Sequence, residues 1–319
     1  MRDEVQRAVE VLRAGGLIGL PTETVYGLGA DAANELAVRR IFAVKGRPSN
    51  HPLIVHVASA DEAKARAAHW PVAAERLVSA FWPGPLTLIV TRAPTVSDAV
   101  TGGQDTVGLR VPDHPLALDV LRAFGGGVAA PSANRFGRVS PTTAQHVRDE
   151  LGADVDVVLD GGPCRVGVES SIVDVSGAAP RLLRPGGVAK EALEAVLGQP
   201  VALVTAATDV RAPGLLASHY APRAGLWLVS DAELPAEAAR RLATGARVAV
   251  LAPAGVPTPQ GVERFEVEGD DAAYARALYS TLRAVDAAGL DVVLAVPPPA
   301  TGLGLAVLDR LRRASAPRP

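Results

Sequence analysis

Apolar residues near the start of the chain fall at Val5, Ala8, Val9 and Leu12, and Gly15-Gly16 follow as a stop, so the chain opens on a short amphipathic helix. Leu17–Leu20 is a compact apolar run ended by Pro21, and it predicts a strand. Asn34 is placed to cap a helix running to about Val44, with Leu36, Ile41 and Phe42 on its buried side. Gly46 ends that helix and Pro48 forbids its continuation. Leu53–Val57 reads as a strand and Asp61–Ala68 as a helix. Further strands are expected at Leu86–Val90, Thr106–Val111, Gly127–Ala130, Val155–Leu159, Ser171–Val175 and Arg181–Leu183. Helices are expected at Pro141–Leu151 and Ala189–Leu197. Strands outnumber helices and interleave irregularly, which implies a mixed sheet with helices packed on it.

The pattern changes after Pro200. Residues 205–224 carry Pro, Gly, Ser and Ala without a period and read as a linker, yet Ser218, His219, Tyr220 and Arg223 cluster within it. Beyond it, strands at Leu226–Val229, Val248–Leu251 and Val292–Ala295 alternate with helices at Ala236–Leu242, Asp271–Ala288 and Leu305–Arg313. That spacing predicts a small parallel α/β domain. The expected organisation is residues 1–204, a linker or lid at 205–224, and a C-terminal domain at 225–319.

Composition narrows the class. A length of 319 residues fits roughly two domains. Aromatics make up only 4% of the chain, so Ala, Val and Leu must fill the core. A net charge of −2 provides no global field for nucleic acid. The single cysteine, Cys164, rules out a disulfide within the chain and a Cys-rich zinc site. Residues 1–16 carry charges throughout, unlike a signal peptide, and no apolar run nears the ~18 residues that span a bilayer. A soluble, cytoplasmic protein is expected.

The chemistry-bearing positions gather at the ends of these elements. No P-loop, zinc-protease, EF-hand or nucleophile-elbow motif is present. Gly302-Leu303-Gly304 is only half of a dinucleotide fingerprint. Lys45 and Arg47 either compensate a helix dipole or reach a phosphate, and Arg110 and Arg184 stand at strand ends where they can join them. Ala130–Asn134 (APSAN) reads either as a turn or as a hydroxyl and an amide at a sheet's C-terminal edge. Ser140-Pro141 reads equally as an N-cap pair and as an anion site. Thr22, Glu23, Thr24 and Tyr26 precede Gly27-Leu28-Gly29, glycines that let backbone approach a ligand. His51 and His56 bracket a strand without a third metal ligand nearby, so no protein metal site is expected. Glu169, Ser170 and Ser171 begin another strand, either as a solvated edge or as part of a site.

Eight segments, PTETVYGLG, KGRPSNHPLIVH, WPGPLTLIV, TVGLRVP, APSAN, GVESS, LLRPG and HYAP, occur in order. Together they resemble the YrdC-type threonylcarbamoyl-AMP synthases over nearly the whole chain. GLGLAVLDRLRRAS resembles the extra domain of the longer members. The resemblance implies a twisted α/β sheet around a deep electropositive cavity, like dihydroxybutanone-phosphate synthase, followed by a Rossmann-like domain. It implies synthesis of threonylcarbamoyl-adenylate from L-threonine, bicarbonate and ATP, with pyrophosphate released. The product would pass to downstream threonylcarbamoyl transferase proteins and tRNA.

Carried over residue by residue, Thr24, His56, Arg110, Ser170 and the Ala130 backbone surround threonine. Lys45, Arg47, His51, Thr106, Ser132, Asn134, Ser140 and Arg184 hold ATP. His219, Tyr220 and Arg223 form a lid over the nucleotide, although Ser218 stands where many relatives carry a bulkier basic residue. No enzyme nucleophile is needed, and positioning with charge stabilisation suffices. Magnesium is expected to ride on the phosphates. Two rival readings are an RNA-binding module of the same fold and a hydrogenase-maturation-type carbamoyl transferase. The near-neutral charge argues against the first and the absence of acylphosphatase and zinc modules against the second, so no stable nucleic-acid binding is expected.

Overall fold

The N-terminal amphipathic repeat forms helix α1 (Arg2–Arg13), which buries Ala8, Val9 and Leu12. Strand β1 (Ile18–Leu20) then turns back antiparallel on β2 (Gly27–Asp31), with Leu20 opposite Gly27. The computed structural model describes residues 2–204, 210–214, 218–267 and 269–317. The expected linker therefore lies partly outside the described residues. The described residues fall into two units. Met1–Phe136, Pro141–Arg165 and Glu169–Leu215 form the first, and Gly137–Ser140, Val166–Val168 and Leu216–Pro319 form the second.

The remaining elements of the first unit are α2 (Glu35–Lys45), β3 (Ile54–His56), α3 (Ala60–Lys64), α4 (Val72–Phe81), β4 (Leu86–Thr91), α5 (Asp98–Thr101), β5 (Thr106–Arg110), α6 (Pro115–Phe124), β6 (Val128–Ala129), α7 (Ala144–Leu151), β7 (Val157–Val158), β8 (Ser171–Asp174), β9 (Arg181–Arg184), α8 (Lys190–Leu197) and β10 (Ala202–Leu203). Its ten strands make one mixed sheet in the order β10-β9-β8-β4-β5-β3-β6-β2-β1-β7. Asn34 caps α2 by accepting from the Ala37 amide at 3.2 Å, and Gly46 closes it at φ 64°, as the sequence predicts.

Two local expectations change, and one glycine gains a packing role. Leu36 is 76% exposed, because α2 buries the stripe Ala37, Val38, Ile41, Phe42 and Lys45, and Leu36 falls off that face. Ser140-Pro141 does not cap a helix. Helix α7 starts at Ala144, and the Thr143 hydroxyl accepts from the His146 amide at 3.2 Å. Gly27 and Gly29 lie within β2. A Cβ on Gly29 would stand 2.9 Å from Val128 Cγ1, so that glycine serves the packing of neighbouring strands.

The second unit contains β11 (Gly225–Leu228), α9 (Leu234–Leu242), β12 (Val248–Pro253), β13 (Glu263–Val267), α10 (Asp271–Ala287), β14 (Val292–Ala295) and α11 (Gly302–Ser315). Its four strands are all parallel, in the order β11-β14-β12-β13. Val248, Val250, Ala252, Val292 and Leu294 join Leu234 and Ala238 of α9 in its core. Strand β13, at the sheet edge beside β12, is an addition to the sequence reading.

Candidate active site on one face of the large sheet

Successive strand residues point to opposite faces, and this alternation builds the site. Val55, Leu88, Val90, Val107, Leu109 and Val173 enter the main core with residues of α2 and α4. The alternate positions Ile54, Ile89 and Ile172 form a separate aliphatic floor with Leu183 and Ala212. Strands β3 and β5 run parallel with Ile54 opposite Gly108 and His56 opposite Arg110. His56 and Arg110 are therefore neighbours at two strand ends, on the face of the floor. Strand β4 runs antiparallel to β5, and β8 parallel to β4 with Leu86 opposite Ser171. The start of β4 and the residue before β8 thus reach the same sheet end, where Thr87 Oγ1 and Ser170 Oγ lie 2.8 Å apart.

Buried hydrogen bonds hold this band. Arg184, at the end of β9, donates to the Ser170 carbonyl from Nε at 3.1 Å and from Nη2 at 2.9 Å, and to the Pro213 carbonyl from Nη1 at 3.0 Å. The described stretch 210–214 lies along the floor. Ala212 packs on the isoleucines, and Arg211 bonds both Gln104 and the Gly102 carbonyl. A small pocket there is lined by Pro52, Ile54, Thr87, Thr106, Gly108 and Arg211, among others. The Thr22–Thr24 turn is fully buried. Thr22 donates to the Val25 carbonyl at 2.7 Å and meets Thr24 Oγ1 at 2.8 Å. Tyr26 ties that turn to the far loop, donating to the Gly162 carbonyl at 2.8 Å and accepting from the Gly161 amide at 3.1 Å.

Lys45 is buried at the end of α2, and its Nζ donates to the carbonyls of Ser132 and Asn134 at 2.6 and 2.5 Å. Burial, with Arg47 adding repulsion, pushes its pKa well below the usual lysine range. Arg47 donates to the Pro52 carbonyl at 2.9 Å. Burial and then Arg47 and Arg211 lower His51, while burial and the Arg110 charge push His56 down to about 3, so His56 is a neutral imidazole. Burial, with the Glu23 charge adding to it, pushes the Cys164 thiol up to about 12 and leaves it inert as a nucleophile at neutral pH.

The first unit thus gathers Thr24, Lys45, Arg47, His51, His56, Thr106, Arg110, Ala130, Ser132, Asn134, Ser170 and Arg184. Ser140, His219, Tyr220 and Arg223 belong to the second unit. There the Ser140 carbonyl accepts from Arg283 Nε at 3.5 Å. Tyr220 is 1% exposed at φ 61°, stacked on Tyr279 with Arg310 over its ring. The Arg223 amide donates to the Asp286 carboxylate at 2.7 Å. Two groups escaped the sequence reading. Thr87 was legible as the one polar residue in the run LTLIV, and Glu23, whose Oε1 is 2.7 Å from Arg110 Nη2, was noticed only as part of a turn. Among the described residues, no cluster of three or more His, Cys, Asp or Glu is disposed to hold a metal ion. Among the described residues, no helix is long and apolar enough to cross a membrane.

The Sua5_yciO_yrdC family, described under telomere recombination, matches residues 10–186. The Sua5_C family, the C-terminal domain of threonylcarbamoyl-AMP synthase, matches residues 188–316. A threonylcarbamoyl-AMP synthase of Pyrococcus abyssi is 40% identical over 99% of this chain and 95% of its own length. One from Bacillus subtilis is 40% identical over 99% of this chain and 94% of its own. The crystal structure of P. abyssi Sua5 complexed with L-threonine superposes with a TM-score of 0.92 at 39% identity, covering 98% of this chain and 94% of that one. A ten-stranded mixed sheet, a second parallel sheet, two adjoining family matches and full-length relatives together make this chain a member of the two-domain Sua5/YrdC family.

Proposed function

We propose that this chain is an L-threonylcarbamoyladenylate synthase, joining L-threonine, bicarbonate and ATP into threonylcarbamoyl-AMP and pyrophosphate. The observation that carries the reading is its end-to-end similarity to a Sua5 solved with L-threonine. Thr24, His56, Arg110, Ser170 and the Ala130 backbone are proposed to take threonine. Buried hydroxyls beside a neutral imidazole suit a small hydroxy amino acid, and Arg110 suits its carboxylate. Lys45, Arg47, His51, Thr106, Ser132, Asn134 and Arg184 are proposed to take ATP. Assignment of Ser140, His219, Tyr220 and Arg223 to the nucleotide rests on the resemblance alone.

The threonine amine attacks the carbon of bicarbonate, or of carbon dioxide, giving a carbamate with water lost from bicarbonate, and the carbamate oxygen then attacks the α-phosphorus of ATP and displaces pyrophosphate. Cations held by the fold offset the charge that develops on pyrophosphate. Magnesium is proposed to arrive on the ATP phosphates. Residues 1–204 form the proposed catalytic domain, 205–224 the lid and 225–319 the C-terminal domain. The packing of Ala212 over the isoleucine floor supports the lid. In finer terms we read the first domain as similar to dihydroxybutanone-phosphate synthase and the second as Rossmann-like, for which the all-parallel second sheet is the support. The product is proposed to serve tRNA modification through downstream transferases in the cytoplasm. The test is pyrophosphate release with L-threonine, bicarbonate and ATP, each omitted in turn. Release that persists undiminished without threonine would contradict the assignment.

A further inference from the structure

The Thr22–Thr24 turn carries a carboxylate that the proposed function leaves unused. Glu23 is 2% exposed. Its Oε1 lies 2.7 Å from Arg110 Nη2, but neither carboxylate oxygen receives an aligned hydrogen bond among the described residues. The neighbouring threonine hydroxyls are spent on each other and on the Val25 carbonyl. Arg110 Nε is spent on the Gly84 carbonyl at 3.2 Å.

This is not how the same unit treats a structural carboxylate. Asp174 is equally buried, and it accepts from Arg181 Nη2 at 2.6 Å, the Ser176 amide at 2.9 Å and the Ser176 hydroxyl at 2.6 Å. Burying a carboxylate is compensated by several donors of that kind. Glu23 has one end-on charge contact, which leaves most of its acceptor positions open. A counter-ion role for Arg110 explains the contact but not the missing donors.

The missing donors identify the visitor. A divalent ion is disfavoured, because a guanidinium stands 2.7 Å away and no cluster of metal-ligating side chains exists among the described residues. An ammonium brings three donors and one positive charge. The reading above assigns the carboxylate of an α-amino acid to Arg110, and an α-amino acid carries its ammonium on the adjoining carbon. A buried Glu and Arg side by side present the complementary pair of charges.

We infer that Glu23 receives the α-ammonium of L-threonine, with Arg110 passing from Glu23 to the substrate carboxylate. The inference rests on the proposed threonine site. It makes Glu23 the residue that distinguishes an amino acid from the same molecule without its amine.

The test is calorimetric binding of L-threonine and of 3-hydroxybutanoate, which is threonine less its amine, to the wild-type chain and to Glu23→Gln. Melting temperature and ATP binding of the variant are followed alongside. The wild type is expected to prefer L-threonine by about tenfold or more, and the variant to lose most of that preference while keeping ATP binding. A purely structural counter-ion would weaken both ligands alike, so an unchanged ratio in Glu23→Gln overturns the inference. Should that variant not fold, the wild-type ratio decides: a tenfold preference supports the role and equal binding of the two ligands overturns it. A wild type that binds ATP but not L-threonine overturns the threonine reading and this inference together, whereas threonine binding with an unchanged ratio overturns this inference only.

Discussion

Gly186→Ala tests whether the Ser170 segment is held rigidly enough to shape a substrate site. A Cβ on Gly186 would fall 2.3 Å from both the Ser170 carbonyl carbon and the Ser171 amide nitrogen, and 2.4 Å from the Glu169 carbonyl oxygen. Side-chain Cβ atoms essentially never come within 3.0 Å of a heavy atom, so backbone must move by about 0.7 Å. All three neighbours are backbone, so no side-chain rotation relieves the clash. The displaced segment carries the carbonyl that receives both Arg184 bonds and the hydroxyl that meets Thr87. Overpacking of this kind costs roughly 1–3 kcal/mol, enough to lower the melting temperature by several degrees. A misplacement approaching 1 Å in a catalytic constellation costs on the order of a hundredfold in rate. Threonine-dependent pyrophosphate release should therefore fall much further than stability does. Gly177→Ala is the control, since a Cβ there meets nothing within 4 Å. Wild-type melting and activity in Gly186→Ala would refute the claim that this segment is fixed.

Four further outcomes are expected. L-threonine should stimulate pyrophosphate release about tenfold or more over L-valine, because a pocket that pairs a hydroxyl rejects a methyl; equal rates count against the threonine assignment. Arg47→Ala should weaken ATP turnover at least about tenfold, roughly 1.4 kcal/mol, beyond the modest stability lost with its bond to the Pro52 carbonyl; normal ATP kinetics in a destabilised variant would leave Arg47 a structural residue. His56 has a folded pKa of about 3 against an ordinary 6.5. The unfolded chain therefore binds the extra proton between those values. The stability it confers is complete above about pH 6.5 and drains as pH falls toward 3, by up to about 1.4 kcal/mol per pH unit. Urea titrations from pH 7 to 4 should show a shallower slope in His56→Gln, and parallel slopes would contradict the buried neutral imidazole. Finally, proteolysis within residues 205–224 should slow when ATP and threonine are both present, and ligand-independent cleavage would reduce the segment to a tether.

The sheet and its chemistry were partly legible because both depend on local pattern. Asn34, Gly46 and the buried Ile41 and Phe42 of α2 agree at every level, and the structure follows them. Leu36 and Ser140 were misread where a single residue had to choose between neighbouring positions on a helix surface or at its start. Helices α4 and α6 went unread although Ala74, Leu77 and Val78, and Leu116, Ala117, Val120 and Leu121, keep helical spacing. The packing role of Gly29 against Val128 was not legible, because it depends on which strand lies beside β2. Glu23 could not be paired with Arg110 from sequence, because the contact joins a turn to a strand end far along the chain and depends on strand order.

That strand order also sets a schedule for synthesis. Strand β1 finds β2 within its own hairpin, but its other edge pairs in parallel with β7, with Ile18 beside Val157. The Leu17 amide likewise waits for Asp156, 139 residues further on. At ribosomal speeds of about 5–20 residues per second, that edge stays open on the order of ten seconds. The turn bearing Thr22, Glu23 and Thr24 leaves the ribosome early, whereas the Gly161–Gly162 loop that anchors Tyr26 emerges much later. A nascent chain halted before β7 therefore presents a bare, apolar sheet edge of the kind that recruits other strands.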